Sequence, residues 1–195
     1  MNARPVHPVT PPPSETPPGP GALTHRHPTV ADTGRVHALA RRSGVSVTRG
    51  ACRMCCGAFA RTSMVADLAG TAIGFIGGYR RPAAPQSYVA WHLVFPRDHA
   101  GAALALMAAM AESVRHDGAE SFEIPIGPDS RTHVVLVQEL ARTYHAVPDT
   151  STLAGPSRTS PGGDMATLYR FALTGGRPVS RPAEPRTCPS HNSRY

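Results

Sequence analysis

Lysine is absent from this chain; all 20 of its cationic side chains are arginine. That bias matches the codon usage of a G+C-rich genome and carries nothing about activity. A concentrated basic stripe is missing too. The net charge is +7 over 195 residues, yet residues 1–30 hold only Arg4 and Arg26 against Glu15, and residues 174–195 hold four arginines against Glu184. The remaining positive charge is scattered. Aromatics make up 6% of the chain and do not interleave with the arginines, so the footprint of a nucleic-acid binder is lacking. A mildly basic surface still suits an anionic cofactor. No apolar run reaches the length of a membrane span. The proline-rich, polar N-terminus has no signal-peptide core. The expected setting is the cytoplasm, with reduced thiols and with neither membrane nor nucleic acid as partner.

Cysteine is scarce, at four residues: Cys52, Cys55, Cys56 and Cys188. Cys52-x-x-Cys55 has the spacing of half a zinc site, but no second Cys/His pair lies at zinc-ribbon distance, and no metal is expected. The cluster reads instead as small soft side chains on a helix packed against a sheet.

What the chain does have is the stretch Tyr88 to Met110, YVAWHLVFPRDHAGAALALMAAM. Its first half is β-branched, aromatic and aliphatic, which suits a buried strand. Pro96 stops that strand, having no N–H for a ladder. From Ala100 on, small and aliphatic residues favour a helix. Between them lies Arg97-Asp98-His99-Ala100-Gly101-Ala102. A small-residue turn that opens a helix leaves amides and the positive end of the helix dipole pointing outward, which suits a phosphate. The missing Cβ at Gly101 would let a ligand approach the backbone. An ordinary strand-to-helix turn would read the same way.

Residues 1–28 contain nine prolines and almost no large apolar residue. Residues 1–29 are therefore expected to be a disordered tail, and the Arg/Pro-rich residues 174–195 another. The ordered domain is expected over 30–173. Within it the pattern predicts a helix over 30–43 and a second short helix within 46–59. Strands are expected over 62–67, 71–79 and 88–95. Gly74, Gly77 and Gly78 mark a bulge or a close backbone approach in the second of these. A helix then runs to about His116, followed by a strand over 121–126 whose Pro125 implies an edge position or a splayed end. A helix over 131–143 points Val134, Val135, Leu136, Val137 and Leu140 inward. Residues 147–163 read as a long loop and 165–173 as a last strand. The order defines an α/β fold with three layers, in which a mixed, mostly antiparallel sheet is flanked by helices.

That order, with a phosphate loop after the third central strand, resembles the Gcn5-related N-acetyltransferase (GNAT) superfamily. Its loop pattern is Gln/Arg-x-x-Gly-x-Gly/Ala; Arg97 matches the first position and Ala102 the last, with Ala100 in place of the first glycine. Longer blocks are similar to the ectoine-pathway diaminobutyrate acetyltransferases. They are residues 59–67 (FARTSMVAD), 73–79 (IGFIGGY), 85–91 (PQSYVAW), 125–129 (PIGPD), and Gly162-Gly163 with Leu168-Tyr169-Arg170.

The resemblance implies acetyl transfer from acetyl-CoA to a primary amine of a small amino acid or diamine. It places Leu93, Val94 and Phe95 along the pantetheine arm. Arg97, Ala100, Gly101, Ala102 and Ala103 fall at the pyrophosphate, with Ser130 also on the coenzyme side. The Leu93 amide becomes the donor to the oxygen that gains charge. A base is required, because the amine must be neutral to attack. His92 is the candidate base, with Asp164 and Tyr144 as further catalytic candidates. Trp91, Thr62 and Asp164 are the acceptor-side candidates. Alternation along the strand puts Trp91 and His92 on opposite faces, so that only one of them faces the pocket directly. The resemblance also implies a homodimer. The departures lie on the amine side: the family's tyrosine-rich segment falls on Gly50 and Cys52, and its C-terminal glutamate on Ala166. They leave open an alternative, a catalytically degenerate relative that binds acyl-CoA or a protein partner.

Overall fold

A computed structural model describes residues 22–128, 130–153 and 166–173. In chain order these form β1 (Leu23–Arg26), α1 (Thr33–Arg42), α2 (Arg49–Cys56), β2 (Ser63–Leu68), β3 (Thr71–Arg81) and β4 (Ala84–Val94). Then come α3 (Ala100–His116), β5 (Ser121–Ile126), α4 (Arg131–Thr143), β6 (Asp149–Leu153) and β7 (Ala166–Ala172). The described strands make one sheet in the order β1-β2-β3-β4-β5-β7-β6. Every pairing is antiparallel except β4 with β5.

Side chains on the two faces of the sheet build two separate cores. On one face Met64, Ala66, Ile76, Tyr88, Ala90, Leu93 and Phe122 pack under α3 and α4. On the other Val65, Ala72, Phe75 and Val94 pack under α1 and α2, against Val36, Leu39 and the three cysteines of α2. Cys52, Cys55 and Cys56 are buried free thiols there. The β2–β3 hairpin closes on Ala69 and Gly70, both left-handed at φ 48° and 77°. A two-residue turn of that hand matches the right-handed twist of its strands.

Two departures from simple pairing shape the centre of the sheet. β4 runs beside β5 only from Ser87–Val89 against Ser121–Glu123, after which the two strands part. Pro125 lies beyond that point, so it marks a splayed end and not an edge, since β7 still flanks β5. The second departure is a bulge. Gly77 pairs with His92 and Gly78 with Ala90, leaving Trp91 as the extra residue on β4.

Several expectations change. Residues 23–26, assigned to the tail by their proline-rich context, form an edge strand on β2; residues 1–21 and 174–195 lie outside the described residues. Between the strands expected over 71–79 and 88–95 there is only a tight turn at Pro82-Ala83, because β3 and β4 each run longer than composition suggested. Asp149–Leu153, inside the expected long loop, is a strand on the outer side of β7. Val135 faces solvent, while Leu136, Val137 and Leu140 of the same helix are buried.

The edge strand is held by charge as well as by its ladder. Arg26 donates to both oxygens of buried Asp32, at 2.8 and 2.7 Å, and through Nε to Asp67 at 3.1 Å. Arg35 bridges the same two acids, and Asp32 also accepts from the Thr29 amide at 2.9 Å. The Arg26 guanidinium holds the Asp32 carboxyl well below the ordinary carboxylate range. A depressed carboxylate stabilises the fold above its unfolded value and loses that contribution as pH falls toward the folded one. Asp32→Ala should lower unfolding free energy at pH 7 by about 2 kcal/mol. It should also flatten the decline of stability below about pH 4, as read by denaturant titration at stepped pH.

Candidate active site

The parting of β4 and β5 opens a wedge in the sheet. Beyond Val89, the side of β4 that would have paired with β5 carries no ladder, so backbone groups over 90–94 face the gap. A buried strand cannot leave such groups to the apolar core; they call for a ligand, water or a side chain. His133, in the first turn of α4, stands across the gap. Its ring lies 5.3 Å from that of Phe95, beside the Leu93 backbone. Burial holds this imidazole below its ordinary range despite that polar neighbour. Leu93, Val94 and Phe95 all have buried side chains, so only their main chain is offered to the gap.

The Pro96–Ala103 segment lies at the same end of the wedge. Arg97–His99 form a short 3-10 turn in which the His99 amide donates to the Pro96 carbonyl at 2.9 Å. α3 starts directly afterwards, with no side chain capping it. The amides of Gly101 and Ala102 fall in its first turn, ahead of any carbonyl within the helix that could receive them. A Cβ at Gly101 would meet nothing within 4 Å, so the space above it is open. Arg97 is exposed beside it, Ala103 is buried beneath, and Ala100 and Ala102 are half-buried. Across the wedge, Ser130 precedes α4 and leaves that helix uncapped as well. Parallel strands put both helix N-termini at one edge of the sheet, a geometry that favours an anion.

On the α2 face of the same strand lies a cavity of about 650 Å³. It is lined by Phe59, Tyr79, Trp91, His92, Met54 and Cys55, among others. Trp91 and His92 both face it, against the expectation from alternation. The bulge is the reason: an extra residue on β4 lets two successive side chains share a face. Tyr88 and Ala90 before the bulge, and Leu93 after it, all stay in the α3 core. Two glycines make the bulge possible. A Cβ on Gly78 would sit 2.3 Å from the Val89 carbonyl oxygen and 2.5 Å from the Tyr88 hydroxyl. One on Gly77 would sit 2.9 Å from the Phe75 ring and 3.0 Å from Cys55 Sγ. Desolvation lowers the His92 pKa, so the ring is neutral and able to take a proton at neutral pH. Burial, then the neighbouring Cys52, pushes the Cys55 thiol up to about 11.

Other candidates fall elsewhere. The Thr62 hydroxyl donates to the Gly78 carbonyl at 2.7 Å, and its own carbonyl accepts from Tyr88 at 3.1 Å. It supports the bulge from below and does not line the cavity. Tyr144 donates to Glu112 at 2.7 Å and packs on Phe171 in the α3–α4 layer, away from the cavity. Burial and that carboxylate raise its hydroxyl pKa. Asp164 lies outside the described residues. Sequence reasoning missed Phe59, Tyr79 and His133, and also Glu123, the fully buried residue at the vertex of the wedge. Arg81 at 2.6 Å and Arg170 at 2.7 Å hold that carboxylate, tying β3, β5 and β7 together where the strands part. A lone acid within the apolar run SFEIPI was the available signal.

A mostly antiparallel sheet with one parallel pair that splits beside an uncapped helix is the fold of the Gcn5-related N-acetyltransferases. Solved structures agree. Diaminobutyrate acetyltransferase EctA from Paenibacillus lautus, in complex with its substrate L-2,4-diaminobutyric acid and coenzyme A, superposes with a TM-score of 0.70. It is 20% identical, over 82% of this chain and 99% of that one. The loading GNATL domain of CurA from Lyngbya majuscula gives 0.63 at 11% identity, over 78% and 98%. In sequence, the chain is similar to L-2,4-diaminobutyric acid acetyltransferase of Nocardia farcinica, with 29% identity over 126 residues. That match covers 63% of this chain and spans 65% of the relative's length. No protein-family profile matches the chain.

Gly78→Ala should destabilise the protein by about 3 kcal/mol, because a backbone carbonyl occupies the space its Cβ needs. Refolded material should also show altered Trp91 emission, since the bulge that turns this ring into the cavity cannot be kept.

Proposed function

We propose that this chain transfers the acetyl group of acetyl-CoA to a primary amine of a small molecule. The observation that carries this reading is the opened β4 edge, flanked by the first-turn amides of α3 on one side and by His92 in a cavity on the other. The residues present fit the coenzyme. The edge over 90–95 offers main-chain groups to an extended amide-bearing arm, and the Gly101 and Ala102 amides offer donors to a diphosphate. When bound, acetyl-CoA supplies an activated acyl group as a thioester. His92 takes the proton that the attacking amine must lose, and the Leu93 amide is the donor for the oxygen that gains charge. Likeness to the Nocardia farcinica relative points to a small amino acid or diamine as acceptor and a step of the ectoine type, while the aromatic lining of the cavity weighs against so polar an amine. A degenerate binder of acyl-CoA is the second reading, favoured by Ala100 in the loop where the family carries glycine.

Isothermal titration with acetyl-CoA should show saturable binding. Gly101→Asp should weaken it by about tenfold or more through repulsion of the diphosphate, while leaving the melting temperature unchanged or higher, because an acid in the first helical turn complements the dipole. Absence of binding to the wild type would remove the reading.

His92→Gln should leave acetyl-CoA affinity in place and lower kcat by about 10²- to 10⁴-fold. In the wild type, activity should fall as pH drops through a value below the ordinary imidazole range, because burial depresses the pKa of the base. The variant should lose that limb. Intact binding with no turnover for any amine would select the degenerate reading.

A further inference from the structure

The composition of the cavity bears on which amine it takes, an inference that rests on the transferase reading. Phe59, Tyr79 and Trp91 stand in a row, their ring centroids 6.1 and 6.3 Å apart with planes tilted by 46° and 50°. Met54 and Cys55 add polarisable sulfur, and Val47 and Ala51 add aliphatic surface. Among the described residues the lining contains no arginine and no carboxylate. Its polar groups are the hydroxyls of Ser46, Thr48 and Tyr79, the Trp91 indole and the His92 ring. The one amide of the α2 N-terminus in the lining, that of Ala51, already donates to the Thr48 hydroxyl at 3.2 Å. The described lining offers no charged partner to the carboxylate and second ammonium of a small diamino acid, whose desolvation there is costly. Such an acid would also leave most of a cavity of about 650 Å³ unfilled. An aromatic body meets the reverse situation, since it can extend the row of rings in the same tilted geometry.

We infer that the acceptor is an arylalkylamine, a primary amine joined by a short alkyl chain to an aromatic ring. The ring lies against Tyr79 and Trp91, and the amine reaches His92 at the bulge. The amine nitrogen forms the new amide bond as the thioester C–S bond breaks; the proton the nitrogen sheds passes to His92 and from there to the departing sulfur, which leaves as the thiol of coenzyme A.

The test uses the full chain with 2-phenylethylamine and L-2,4-diaminobutyrate as probes. In a thiol-release assay with acetyl-CoA, kcat/KM for 2-phenylethylamine should exceed that for diaminobutyrate by about tenfold or more. Trp91 is the only tryptophan of the chain, so its emission reports the cavity directly. 2-Phenylethylamine should shift that emission saturably and diaminobutyrate should not. Tyr79→Ala should weaken the shift severalfold while acetyl-CoA affinity stays in place. A preference for diaminobutyrate, or an emission unmoved by 2-phenylethylamine, would overturn the inference. Failure of the transferase reading would show separately, as the absence of a calorimetric signal with acetyl-CoA.

Discussion

The structure depends on a parallel strand pair that ends early. β4 and β5 share only three register positions before they separate. A sheet kept intact at this point would have satisfied its own backbone and left nothing to bind with. Several features hold the strands apart. Pro125 withholds an N–H from β5, the bulge at Trp91 adds twist to β4, and Phe95 and His133 stack across the opening. Glu123 secures the vertex. A fully buried carboxylate is expensive unless compensated, and two arginines, one from the adjacent β7 and one from β3 beyond β4, are paired with it. The gap is therefore a built feature, with a charged tie at its closed end and two helix N-termini at its open end.

The same bulge serves the opposite face. It rotates Trp91 and His92 together toward α2, and the residues after it return to the α3 core without loss of packing. Gly77 and Gly78 allow this because side chains would collide with the Phe75 ring on one face and with the Val89 carbonyl on the other. The opened β4 edge and the cavity thus lie on two sides of a single strand. The acyl transfer proposed above would use that arrangement, since donor and acceptor must meet from opposite directions at one carbonyl.

Likeness to the diaminobutyrate enzymes and departure from them are spread unevenly over the molecule. The longest shared blocks fall on β2, β3 and β4, and shorter ones on the end of β5 and on β7. The departures fall on α2, where cysteines and small residues stand in place of a tyrosine-rich segment. Cys52 and Cys56 of that helix fill the core beneath it, while Met54 and Cys55 face the cavity.

Much of the fold was readable from residue order. The helix over 131–143, the turn before β3, the strand that Pro96 stops and the small-residue start of α3 all follow from local stereochemistry, which acts between near neighbours. The family likeness rested on the same local blocks. What local rules missed were matters of pairing between distant segments. Leu23–Arg26 is a strand only because β2 offers it an edge and Asp32 and Asp67 hold its arginine. Thr62 looked like a substrate contact, yet its hydroxyl supports Gly78. Trp91 and His92 share a face because one strand gained a residue relative to its partner, and no periodicity within a single strand can show that. The sequence by itself determined the order of the central elements and the small-residue turn that opens α3. Only the tertiary structure decided which side chains meet, because register and burial are properties of two strands at once.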